Sequence, residues 1–204
     1  MKIKICGITS VAETEYLNRN HVDFAGVVLF FPKSRRNTPP ETAADILAAL
    51  NDDIQKVAVV VSPSLEEVRQ IEQLGFDYIQ IHGTLSQELL ESIHLPILKA
   101  FNVSDMEQYE TYHHCPQVAG YVFDAQEPGS GKTFDWSFVK HIPRDEKLLL
   151  LAGGLHEGNV AEAIASVAPD GVDVSSGVEF TDRPGKDPAK IDAFVAKVRQ
   201  EETS

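Results

Sequence analysis

Eight times along the chain, a short run of aliphatic and β-branched residues gives way to a longer stretch whose apolar residues recur every third or fourth position. "IKICGI" (3–8) leads into "SVAETEYLNRN", "FAGVVLF" (24–30) into "PPETAADILAAL", "KVAVVV" (56–61) into "SLEEVRQIEQLG", and "YIQIHG" (78–83) into "SQELLESI". The second half continues in the same way. "PILKAFNV" (96–103) is followed by "SDMEQYETY", and "GYVFDA" (120–125) by a glycine-bearing loop and "DWSFVKHI". "KLLLLAGG" (147–154) is followed by "GNVAEAIASVA", and "GVDVSSG" (171–177) by a loop and "PAKIDAFVAKVRQ". The short runs read as strands and the long ones as helices with recognisable ends. Ser10 and Ser64 are caps, prolines open the second helix, and Gly75 stops the third.

Strands that are apolar on both faces are covered on both faces, and helical crossovers make neighbouring strands parallel. Eight strand–helix units in 204 residues therefore predict an α/β protein with a single (β/α)8 barrel over residues 1–204. The alternative is an open, doubly wound sheet. Its dinucleotide fingerprint, G-x-G-x-x-G after the first strand, is absent. No composition break marks a second domain. Only the polar end of the chain, "RQEETS", departs from the pattern, and a disordered tail is expected over 200–204.

A net charge of −13 argues against nucleic acid or an anionic membrane as partner, while leaving room for a small anionic ligand held by local donors. The two cysteines, Cys6 and Cys115, form no disulfide framework, which suits a reducing cytoplasm. No signal-peptide pattern and no membrane-length apolar run is present. Oligomeric state, monomer or homodimer, is left open.

In such a barrel the chemistry lies where the strands end. Polar residues and glycines gather there: Cys6 and Gly7 after the first strand, Lys33, Arg35 and Arg36 in the loop after the second, Gln80 and His82 on the fourth, Asp124 on the sixth. Gly153 and Gly154 follow the seventh strand, and Ser175, Ser176 and Gly177 the eighth, the position at which this fold usually binds phosphate. Glycines there let the backbone approach an anion closely; otherwise they are ordinary turn residues. Cys6 and Asp124, on strands that are not neighbours, face one another across the mouth as an acid–base pair. Alternatively, Cys6 is a small core residue and Asp124 caps its own loop. Arg36 or Arg35 offers a bidentate clamp for a carboxylate, or else both belong to a solvated basic loop. "HHC" (113–115) lies away from the rim, and no metal site is expected. His82 is a neighbour of the ligand or a loop anchor. Trp136, after the cap Asp135, is a packing residue.

"KICGIT", "FPKSRR" followed by a proline, "QIHG", "GSGKTFDW", "AGGL" and "DVSSGVE", in this order and across nearly the whole chain, resemble the N-(5′-phosphoribosyl)anthranilate isomerase family. The resemblance implies a (β/α)8 barrel without metal or cofactor that carries out an Amadori rearrangement in tryptophan biosynthesis. It implies Cys6 as general base, Asp124 as general acid, and Arg36 on the anthranilate carboxylate. It also implies Gly153, Gly154, Ser175, Ser176 and Gly177 around the phosphate. The segment between Asp124 and "GSGKTFDW" is shorter than is common in that family, and "NTPP" replaces its usual ending. The competing functions are the related histidine-pathway aminoaldose isomerase, which would carry an aspartate in place of Cys6, and a non-enzymatic phosphometabolite-binding barrel. Finally, Lys4 falls one layer below Cys6 on the inward face. Asp173 falls inward on the strand that closes the barrel beside it, so a buried Lys4–Asp173 pair is expected, with the cation favouring a Cys6 thiolate.

Overall fold

The computed structural model describes residues 1–102, 108–124 and 136–201. The strands are β1 (Lys2–Cys6), β2 (Phe24–Val28), β3 (Gln55–Val61), β4 (Tyr78–His82), β5 (Ile97–Asn102), β6 (Val118–Asp124), β7 (Leu148–Leu151) and β8 (Gly171–Val174). All pair in parallel with their sequence neighbours, and β8 pairs with β1, so the barrel is closed as the alternation of strands and helices implies. The open-sheet alternative is excluded.

The helices are α1 (Val11–Asn20), α2 (Pro40–Ala49), α3 (Leu65–Leu74), α4 (Gln87–Ser92), α5 (Tyr109–His113), α6 (Val160–Val167) and α7 (Pro188–Glu201). α3 has the ends expected from its sequence. Ser64 accepts the N–H of Glu67, Glu67 reaches back to the Ser64 N–H, and Gly75 turns the chain at φ +86°. Two expectations change. The stretch "WSFVKH" is a 3₁₀ helix (Trp136–His141) rather than an α-helix. Its bulky and β-branched residues are weak helix formers, and Pro143 stands two residues past its end. At the C-terminus, Gln200 and Glu201 form the last turn of α7 rather than a tail; residues 202–204 lie outside the described residues, as do Asp135 and the segment 125–134, expected from the sequence to be short.

Alternate strand residues build two cores. Outward residues such as Ile5, Val27, Val60, Ile81, Phe101, Phe123 and Leu151 pack beneath the helices, while Phe24, Val57, Val59, Leu98, Ala100, Val122 and Leu150 fill the barrel. This is why the strands read as continuous apolar runs. The end of the barrel opposite the strand C-termini is pinned by a repeated device. Asp23, Asp77 and Asp170 each immediately precede a strand, and each carboxylate accepts a backbone N–H from the strand before it, at Ile3 (2.9 Å), Lys56 (2.8 Å) and Leu149 (2.7 Å). Ahead of β6 stands Gln117, whose main-chain carbonyl takes the Ile97 N–H instead.

Candidate active site

Where the strands end, left-handed residues turn the chain out of the barrel: Gly7 (φ +78°), Phe30 (+54°), Ser62 (+46°), Gly83 (+69°), Gly153 (+86°) and Gly154 (+65°). Gly83, Gly153 and Gly154 among them line a cavity of about 500 Å³. Cys6, Arg36, Asp124, Gly153, Gly154, Ser175 and Ser176 all line it, together with His82, Gln80, Asn102 and Asp173. Its apolar wall is Val28, Phe31, Val59 and Val61. Of the residues singled out from the sequence, Gly7, Lys33, Arg35 and Gly177 are not part of the lining, and Gly177 stands behind it. A Cβ there would come within 2.0 Å of the Leu155 carbonyl oxygen, so its bare backbone lets the turn after β8 sit against the turn after β7.

Gly7 is constrained twice. Its φ belongs to glycine, and the Arg36 side chain lies where a Cβ would be, 2.4 Å from that position. Arg36 is thereby laid across the mouth, where Glu179 takes its Nε–H at 2.6 Å and an Nη2–H at 3.2 Å. Arg35 and buried Lys186 pair with the same carboxylate. Burial pushes the Glu179 carboxyl up, but Arg36, Lys186 and Arg35 outweigh it and hold it below the usual range.

Ser175 ties β8 to β1. Its hydroxyl donates to the Cys6 carbonyl (2.9 Å), and Lys186 Nζ donates to both its carbonyl and its hydroxyl oxygen. The glycine turn after β7 is braced by Asn159, whose side-chain amide donates to the Gly154 carbonyl (3.0 Å). Ser176 opens a short 3₁₀ helix (Ser176–Val178), and the first N–H groups of such a turn have no acceptor within it.

Inside the barrel, Lys4 Nζ donates to Asp173 Oδ2 at 2.8 Å, both groups being buried, as expected from the inward register of the two residues. Lys4 and Cys6 converge over Gly26 of β2; a Cβ on Gly26 would meet Cys6 Sγ at 2.9 Å and Lys4 Nζ at 3.1 Å. Burial pulls the Lys4 ammonium down, yet Asp173 and the thiol more than compensate, and the net direction is up. For Cys6 burial is the largest influence and the net direction is also up, with Lys4 and Lys186 opposing it. The expected help toward thiolate is therefore present as a force, but it does not overcome burial.

On the other side, Gln80 Nε2 lies 2.9 Å from His82 Nε2. A neutral imidazole can serve this contact as acceptor from the amide. Burial, with Lys4 and Lys99 adding their charge, lowers the His82 pKa to about 3. Gln80 Oε1, Asn102 Oδ1 and Asp173 Oδ1 are buried acceptors with no protein donor among the described residues. Asn102, Gly26, Glu179 and Lys186 were not picked out from the sequence. Asn102 could have been, because it ends an apolar strand in register with Asp124. Gly26 could also have been, as a glycine inside a strand. His113 of "HHC" is occupied by Asp145 (3.0 Å) and Tyr109 (3.1 Å), and Trp136 packs on the outer core. No group of three metal-ligating side chains converges among the described residues.

Set against known proteins, residues 3–197 match the family described as N-(5′phosphoribosyl)anthranilate (PRA) isomerase. A relative from Streptococcus gordonii, named N-(5′-phosphoribosyl)anthranilate isomerase, is 40% identical over 207 aligned residues, covering 97% of this chain and 97% of its own. The crystal structure of phosphoribosyl anthranilate isomerase from Thermus thermophilus superposes with a TM-score of 0.87 at 31% identity, covering 98% of this chain and 99% of that one. A further solved structure, at TM-score 0.82 and 32% identity and covering 98% and 99% of the two chains, is of phosphoribosyl anthranilate isomerase in complex with reduced 1-(o-carboxyphenylamino)-1-deoxyribulose 5-phosphate.

Proposed function

The chain belongs to the N-(5′-phosphoribosyl)anthranilate isomerase family, and from that premise we propose how its cavity carries out the reaction. The reaction is the aldose–ketose isomerisation of N-(5′-phosphoribosyl)anthranilate to 1-(2-carboxyphenylamino)-1-deoxyribulose 5-phosphate in tryptophan biosynthesis. The substrate is a small anionic phosphosugar. Its phosphate rests on the turns at Gly153–Gly154 and Ser175–Gly177, where main-chain N–H groups and the Ser176 hydroxyl donate. Its aromatic ring lies on the wall of Val28, Phe31, Val59 and Val61, with the Arg36 guanidinium at its carboxylate. Glu179 holds Arg36 in place, so the fork reaches the ligand already oriented.

Asp124, in its acid form, protonates the ribose ring oxygen. The C1′–O4′ bond breaks, O4′ leaves as a hydroxyl, and a protonated imine forms between C1′ and the anilino nitrogen. That cation makes the proton on C2′ acidic, and Cys6, as thiolate, removes it. The resulting enolamine becomes the ketone when C1′ gains a proton and the 2′-hydroxyl gives one up, so the proton count closes on itself. The imine is the electron sink, and the protein supplies position and two proton-transfer groups, each of a kind that typically contributes ~10²–10⁴-fold.

One observation carries this reading. A thiol, a carboxyl and an arginine from three separate parts of the chain line one cavity with two glycine-bearing turns. Cys6 also distinguishes this chain from the histidine-pathway isomerase, for which an aspartate is expected at that position. We place the enzyme in the cytoplasm, with its two free cysteines in support; among the described residues no helix is long and apolar enough to cross a membrane. The test is consumption of phosphoribosylanthranilate followed by its fluorescence. Cys6→Ala and Asp124→Asn should each lose ~10²-fold or more in kcat with KM little changed. Full kcat in either variant removes that residue from its role.

A further inference from the structure

Nothing in the acid–base scheme uses Lys4, yet its ammonium is fully buried inside the barrel and packed against the residue proposed as base. A buried cation is costly unless its neighbours repay it. Asp173 takes one of its donors through Oδ2, and the Cys6 sulfur stands on the same side of Gly26 as the ammonium. Gly26 completes the arrangement from β2, because a side chain there would occupy the space in which sulfur and ammonium meet. We infer that Lys4 is the positioning residue of Cys6, the fixed counter-charge on which the thiolate forms, with Asp173 setting how much of that charge the sulfur receives.

The inference rests on Cys6 as base and gives Lys4 and Asp173 opposite effects. Lys4 favours the thiolate by charge and by hydrogen bonding, whereas the Asp173 carboxylate disfavours it and competes for the same ammonium. Every charged group around the sulfur enters the balance. Lys4 lies on the same strand, Asp173 on β8, and Lys186 on the segment that follows it. Arg36 packs over Gly7, and His82 and Asp124 face the sulfur's cavity from β4 and β6. β2 contributes no charge there, only Gly26. The geometry makes the thiolate conditional. Burial pushes the thiol up while Lys4 and Lys186 oppose it, and any event that loosens Asp173 from Lys4 shifts the ammonium's charge toward the sulfur. Asp173 Oδ1, buried at the cavity and without a donor among the described residues, is the point at which a substrate hydroxyl would do this.

The experiment measures alkylation of Cys6 by iodoacetamide as a function of pH, in a Cys115→Ser background so that Cys6 is the sole thiol, alongside kcat and KM. Alkylation reads the thiolate whether or not Cys6 is the base, so its outcome is separate from that of Cys6→Ala. Lys4→Met should move the alkylation profile up by about 1–3 pH units, the effect of losing an adjacent opposite charge. Its kcat near neutral pH should fall at least ~10-fold while KM holds. Asp173→Asn should move the profile down. Where Lys4→Met fails to fold because Asp173 is left buried alone, Lys4→Met with Asp173→Asn replaces it, and its profile should also lie above that of the parent. Opposite shifts for the two sites establish the role. Shifts in the same direction, or unmoved profiles in folded variants, overturn it, because a purely structural pair has no reason to drive the thiol in opposite directions.

Discussion

Gly26 shows what a single residue does in this barrel. In sequence it is a weak point in a strand; in space it is the gap into which Cys6 and Lys4 fit. Cys6, Asp124, Arg36 and the two glycine-bearing turns were legible because each ends a strand or follows one, and the fold decides what strand ends face. Asn102 followed the same rule and was missed only because asparagine announces no chemistry. Lys186 and Glu179 were not legible. Lys186 belongs to a loop of ordinary composition, and its N–H binds Glu13, 173 positions away, a pairing no local pattern encodes. His82, which the sequence left between two roles, titrates in a way that can be tested. Its folded pKa is pulled to about 3 by burial, while in the unfolded chain an ordinary histidine titrates near ~6.5. Between those values the unfolded chain binds a proton that the folded one does not, so stability falls as pH falls through that window. His82→Gln removes this contribution. Urea midpoints of the variant at about pH 7 and about pH 4.5 should lie closer together than those of the parent; an unchanged gap would mean that His82 is not held neutral.

At the level of elements, the alternation of apolar runs and amphipathic stretches carried almost the whole topology, because a strand covered on both faces and a helix covered on one leave different periods in the sequence. The sixth connection failed this test for a physical reason. Trp136–His141 is too short, too rich in bulky residues and too near Pro143 to complete α-helical turns. The aspartates ahead of β2, β4 and β8 were also invisible as a device, since "VDF", "FDY" and "PDG" look like turns. Their function emerges only when each carboxylate is seen to hold the preceding strand. Asp77→Ala leaves the Lys56 N–H without that acceptor and should cost about 1–3 kcal/mol, read as a lower urea midpoint. Because this end of the barrel is opposite the cavity, kcat should stay at the parent value. A fall in kcat with stability intact would show that the clamp reaches the site.

The whole molecule separates two duties between its two ends. Carboxylates and backbone close the barrel at one end, while at the other the chain gives up regular geometry to six left-handed residues and exposes polar groups over an apolar interior. A chain of net charge −13 that accepts an anion must do so locally, and on the proposed reading Arg36 and the two glycine-bearing turns provide that locality. The most direct measurement is a crystal structure of this enzyme with reduced 1-(o-carboxyphenylamino)-1-deoxyribulose 5-phosphate bound. The phosphate should sit on the turns at 153–154 and 175–177, the ring against Val28, Phe31, Val59 and Val61, and the carbons corresponding to C1′ and C2′ between Cys6 Sγ and the Asp124 carboxyl. A phosphate bound at another part of the rim, or a ligand that leaves either of those two groups out of reach of the sugar, would contradict the assignment of base and acid.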